Sequence, residues 1–215
     1  MKKRIHLSLV MCIVTGVIIA SAALADDYFS SCGQSHSVVA ERYFPPHTIG
    51  EKSESFREKW YSTCLAAARE RPLFASPQAD EAYRFFWLGG FRRTVVLRAE
   101  RSGKEYRLII KEIFVRPVKD HGEDDVVENG IRFLTESEWN DLKTLLSNAS
   151  FWDLPTQANE CQTCRDGTRW VLEGFQDAQY HVVDRSSPRD LAKPFREACL
   201  YLWKLSGLEP IDAEY

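Results

Sequence analysis

The densest run of polar side chains lies in Asp166-Gly167-Thr168-Arg169-Trp170-Val171-Leu172-Glu173-Gly174, followed by Tyr180-His181-Val182-Val183-Asp184-Arg185-Ser186-Ser187-Pro188. Both runs read as strands joined around Asp177-Ala178. Alternate strand residues share a face, which sets His181, Val183 and Arg185 on one side and Tyr180, Val182 and Asp184 on the other. Pairing of the two strands is expected to bring Glu173 or Arg169 toward His181 or Arg185. A carboxylate, an imidazole and a guanidinium on one surface suit an anion or a charged partner, and a His paired with Glu can act as a general base. Cross-strand ion pairing on a solvated sheet face is the plainer expectation for the same residues. No Gly-x-Ser-x-Gly elbow surrounds Ser186 or Ser187, and Ser187 before Pro188 reads as a helix cap.

A second candidate chemistry is that of thiols. The first 25 residues carry Lys2, Lys3 and Arg4, then an apolar stretch from Leu7 to Leu24, then Ala23-Leu24-Ala25. That is a secretory signal peptide with cleavage expected after Ala25. Cys32, Cys64, Cys161, Cys164 and Cys199 then remain, an odd count bound for an oxidising compartment. Cys32 with Cys64 is the preferred disulfide. Cys161 or Cys164 reaching Cys199, and a bridge within Cys161-Gln162-Thr163-Cys164, stay open as alternatives. A redox CxxC belongs at a helix N-terminus, whereas here Arg165-Asp166-Gly167 and a strand follow. A structural zinc site would need a second ligand pair, and only Cys199 and His181 offer themselves, so no metal or cofactor is expected.

The charge balance narrows the partners. The chain has 28 basic and 31 acidic residues, and loss of Lys2, Lys3 and Arg4 with the leader leaves 25 against 31, a net charge of −6. An acidic mature chain without a basic run is poorly suited to nucleic acid or anionic lipid. Asp120, His121, Glu123, Asp124 and Asp125 lack the spacing of a calcium loop and read as part of a long acidic loop over residues 116–130.

These residues must be positioned by a fold whose outline is legible. The 215 residues are 44% apolar and 27% charged, which fits one globular domain over residues 26–215 and argues against a disordered or repeat protein. Residues 26–52, with Pro45-Pro46 and Gly50, form an irregular lead-in. Ser55 and Glu58 open a first helix with Phe56, Trp60, Cys64, Leu65 and Ala68 at helical spacing, ending before Pro72. Residues 76–82 read as a helical turn. Tyr83 to Leu88, Thr94 to Glu100 and Tyr106 to Phe114 read as strands, the last two a hairpin about Ser102-Gly103. Thr135 and Glu138 cap a second helix, and a third runs from about Pro194 to Ser206 with Gly207 as its stop. Neighbouring strands without single-helix crossovers predict an α+β domain, an antiparallel sheet of about four to five strands with helices packed mainly on one face.

The segments Phe151-Trp152-Asp153-Leu154-Pro155, Asp166 to Gly174 and Tyr180 to Pro188 resemble FW-x-LP, DG-x-x-W-x-LE and YH-x-V-x-R-x-SP of a family of uncharacterised exported bacterial proteins. The resemblance covers the C-terminal half, with a weaker echo at Tyr83-Arg84. It implies a single compact exported domain and carries no mechanism. The functional expectation is a periplasmic or secreted, non-enzymatic binding or inhibitor/immunity-type protein. It would meet an envelope protein partner through Arg169, Glu173, His181 and Arg185, as a monomer or a disulfide-linked dimer, with no membrane association after cleavage. The alternative is a small periplasmic enzyme, either a hydrolase using His181 and Glu173 or a thiol oxidoreductase using Cys161 and Cys164.

Overall fold

A computed structural model describes residues 42–49, 56–75, 79–89, 93–114, 126–157, 168–188 and 192–211. Helix α1 (Phe56–Ala67) precedes a meander of four strands, β1 (Glu81–Gly89), β2 (Arg93–Ser102), β3 (Glu105–Phe114) and β4 (Val126–Phe133). Helix α2 (Glu136–Asn148) and a 3-10 turn at Phe151–Asp153 lead into the hairpin β5 (Arg169–Gln176) and β6 (Gln179–Ser186), and α3 (Lys193–Ser206) closes the described chain. The strands form one antiparallel sheet in the order β4-β3-β2-β1-β5-β6. The α+β class stands, with six strands rather than four to five. No described helix is long and apolar enough to cross a membrane.

The added strand is β4. Residues 126–130 were expected to continue the acidic loop, but Val126 to Phe133 pair with β3 from Phe114 back to Arg107. Asn129-Gly130 interrupts the β-forming run there, and these residue types favour turns only when no neighbouring strand supplies hydrogen bonds. Glu81 and Ala82 likewise open β1 rather than close a helical turn, because both pair with β2 and β5.

Strand alternation divides the burial between two cores. Tyr83, Phe85, Val95, Leu97, Leu108, Trp170, Leu172 and Val183 pack against Trp139, Leu142 and Leu146 of α2 and Phe195, Cys199, Leu202 and Trp203 of α3. Phe86, Leu88, Val96, Val171 and Val182 point the other way, against Tyr61, Cys64 and Leu65 of α1 and Tyr43, Phe44 and Ile49 of the lead-in. Two helices thus share one face and the third covers part of the other.

The local chemistry at the helix ends matches these positions. Thr135 accepts from the Glu138 amide while the Glu138 carboxylate accepts from the Thr135 amide, a complete capping box. Gly207, at φ 73, ends α3 in the left-handed conformation that favours glycine. Ser55 lies outside the described residues. Ser187 does not cap a helix: its amide donates to the Thr168 carbonyl at 2.9 Å and its Oγ accepts from the Thr168 amide at 3.1 Å, closing the open end of the β5–β6 hairpin.

Candidate functional site

The two-residue turn at Asp177-Ala178, both at positive φ, sets the parity of the β5–β6 hairpin. Gln176 faces Gln179, so Glu173 lies opposite Val182 and Gly174 opposite His181. Glu173 and Arg169 therefore project toward α1, and His181 and Arg185 toward α2 and α3. The sheet separates the carboxylate from the imidazole, which removes the expected single surface and with it the Glu173–His181 acid–base pair.

Each of the four has a structural partner instead. Arg169 reaches Asp184 at 2.5 Å and donates to the Tyr61 hydroxyl at 2.9 Å. Glu173 is fully buried against Arg84, at 2.6 and 2.8 Å, and accepts from the Tyr180 hydroxyl at 2.8 Å. Arg185 donates to the carbonyls of Pro155 at 2.9 Å and Thr156 at 3.0 Å and lies over the Phe195 ring. The His181 ring packs on Phe151 and Trp152, with centroids 5.2 and 6.2 Å away. Burial holds the His181 pKa below its ordinary value despite a hydrogen bond with the Leu154 backbone, and its Nε2 is buried without a hydrogen-bond partner among the described residues. That shift favours the neutral ring.

The motif segments meet in one place. Gly174 has no side chain because Phe151 occupies that space: a Cβ would come within 2.6 Å of Phe151 Cε1 and 3.1 Å of Tyr83 Cε1. Trp170 Nε1 donates to Thr168 Oγ1 at 2.9 Å. FW-x-LP, the W-x-LEG run and YH-x-V-x-R thus form a lock between the 3-10 turn and the β5–β6 hairpin, which accounts for those residue types without catalysis.

The largest concentration of charge lies on the α1 face and was not foreseen from sequence. Glu70, just after α1, is buried with Arg84 at 3.3 Å, Arg98 at 2.9 Å and Lys111 at 2.7 Å. Burial alone would raise its carboxyl pKa, but Arg84, Arg98 and Lys111 outweigh that and hold it below the ordinary value. Glu100, also buried, takes Arg71 at 2.9 Å, Arg107 at 2.5 Å and Arg98. Arg84 is wholly buried; burial opposes its charge, and Glu173 and Glu70 more than restore it. The members come from four strands, β1, β2, β3 and β5, and the segment after α1, with bonded partners as far as 89 positions apart in sequence. Only the alternation of Arg84, Arg98 and Glu100 with apolar neighbours marks them as inward-facing.

Beyond this network the α1 face is less covered. Ile131 and Phe133 of β4 are 64% and 68% exposed, and the register places them beside Ile109 and Arg107. On the opposite face, Arg132, Glu138, Asp141, Tyr201 and Lys204 line a groove of about 470 Å³. Its polar groups bond one another: Arg132 donates to the Leu205 carbonyl at 2.7 Å and to Glu138 at 2.5 Å, and Tyr201 to Asp141 at 3.2 Å. Burial, aided by Asp141, pushes the Tyr201 phenol up to about 12.

Cys199 is a free thiol buried in the larger core, its pKa pushed up by burial. The pairing of Cys199 with Cys161 or Cys164 is therefore not formed. Cys64 is buried on α1, whereas Cys32, Cys161, Cys164 and the acidic residues 120–125 lie outside the described residues. Among the described residues no group of three or more His, Cys, Asp or Glu is arranged to hold a metal. No protein-family model matches the chain, and a search of curated proteins finds no relative.

Proposed function

We propose that this chain is an exported, non-enzymatic binding protein of the bacterial envelope, and that its partner docks on the β3–β4 side of the sheet. The observation that carries the reading is the exposed apolar pair Ile131 and Phe133 on an edge strand of a sheet whose other apolar side chains are largely buried. Arg169, Glu173, His181 and Arg185, the earlier binding candidates, are occupied in holding the fold. Arg107 stands directly across from Phe133 and is 38% exposed. A protein segment that is apolar with flanking carboxylates complements that surface in both hydropathy and charge. Export rests on the leader and on the resemblance to exported proteins, and the mature chain begins at Asp26 with Cys32 bonded to Cys64.

A photoreactive residue placed at position 133 in the native host tests the docking surface. One envelope adduct is expected, joined through a peptide that is apolar and acidic, and the same label at Gln179 on β6 should not form it. An adduct between two copies of this chain, or none, overturns the reading. Intact mass with alkylation before and after reduction tests the export claim, with a mature N-terminus at Asp26 and Cys32 and Cys64 labelled only after reduction.

A further inference from the structure

The network on the α1 face is unequal in charge. Arg71, Arg84, Arg98, Arg107 and Lys111 surround only Glu70, Glu100 and Glu173 among the described residues. With Arg71 set aside for contacts elsewhere, four cations still face three carboxylates. An uncompensated charge beside buried groups is costly, because the low-dielectric surroundings neither solvate nor screen it well. The surplus must therefore emerge where the network meets solvent.

That place is the rim around Glu100. The side chain of Arg84 is wholly buried, while those of Arg98, Arg71 and Arg107 are 10%, 18% and 38% exposed. Arg98 and Arg107 both meet Glu100, and with Glu70 shared among Arg84, Arg98 and Lys111 the three carboxylates leave one of the four cations unbalanced. Burial, with the neighbouring Arg98, holds the Arg71 pKa below its ordinary value in spite of Glu100. Arg98 uses Nε on Glu70 and Nη1 on Glu100, and Arg107 turns Nε and Nη2 to Glu100. Such forks match the paired oxygens of a carboxylate or phosphate.

We infer that Arg98 and Arg107, with Arg71 beside them, form an oxyanion-binding site at the rim of Glu100, next to Ile131 and Phe133, that takes a carboxylate carried by the docked partner. The inference rests on the docking surface proposed above and names the polar half of what that surface recognises. The apolar part of the partner covers Ile131 and Phe133, and its carboxylate balances the surplus charge.

The site is tested on the mature protein alone, through the guanidinium Nε–H signals in NMR spectra. Inorganic phosphate or acetate added at constant ionic strength is expected to shift the Arg98 and Arg107 signals saturably, leaving those of Arg132 unmoved. Arg107→Gln should weaken the effect about tenfold, the worth of one charge-assisted hydrogen bond. A shift that never saturates, or is shared equally by Arg132, overturns the site, and the wild-type titration decides this even if the variant folds poorly. A short leucine–glutamate peptide should then bind more tightly than acetate and than its leucine–glutamine counterpart. Equal binding of the two peptides would overturn a partner carboxylate as the source of the anion. Phosphate reads the rim without any partner, so its failure leaves the photolabel at position 133 to judge the docking surface separately.

Discussion

The two edges of the sheet are finished in different ways. At β6 the chain returns to cover the edge: the Asp184 amide donates to the Thr156 carbonyl at 2.7 Å, Gln157 forms a parallel bridge to Asp184, and Arg185 holds the carbonyls of Pro155 and Thr156. At β4 no described strand or bridge lies outside, and Ile131 and Phe133 face solvent. An uncovered edge is a surface on which other chains assemble unless charge or cover prevents it. Among the described residues, one edge of the sheet is therefore capped by chain and the other is not.

The sharpest way to break this contrast is to remove the charge that joins the capped side to the network. Arg84→Met should cost about 3–5 kcal/mol in urea unfolding, because Glu173 and Glu70 are left buried without their shared cation. Next in size, Gly174→Ala on β5 should destabilise by about 1–3 kcal/mol through overpacking against Phe151 and Tyr83. Gly130→Ala on β4 should change stability by less than about 0.5 kcal/mol, since its Cβ meets nothing closer than Ile110 Cβ at 3.8 Å. Equal effects from the two glycines would erase the distinction.

A smaller effect follows from pH. The folded pKa of His181 lies below its ordinary 6.5, so the unfolded chain binds more protons and stability falls as pH drops below that value. His181→Phe should flatten this part of a stability–pH curve taken by denaturant titration. Glu70, also depressed, adds a second loss below its ordinary 4.5. The smallest stability change is expected from Ile131→Ser with Phe133→Ser, within about 0.5 kcal/mol of wild type by thermal unfolding, although the same pair should abolish the photolabelled adduct.

Features governed by neighbours in sequence were legible before any coordinates. The Thr135–Glu138 capping box, the Gly207 stop and the strands around Asp177-Ala178 all depend on residues a few positions apart. Strand β4 was hidden because its Asn-Gly pair and its acidic approach are turn-like until β3 supplies hydrogen bonds. The supposed Glu173–His181 surface failed on parity: a two-residue turn pairs Gln176 with Gln179 and so sends positions 173 and 181 to opposite faces. The Arg84–Glu173 contact depends on β1 lying beside β5, a pairing that no short-range signal specifies.

Cys199 has a consequence for thiol exchange as the chain folds. Once α3 docks, its thiol is buried and its pKa raised, so thiolate attack on a disulfide is slow on both counts. Before docking the same thiol is an ordinary nucleophile in competition with every other cysteine of the chain. Packing of α3 against the sheet beside α2 therefore withdraws this thiol from exchange with the other cysteines of the chain.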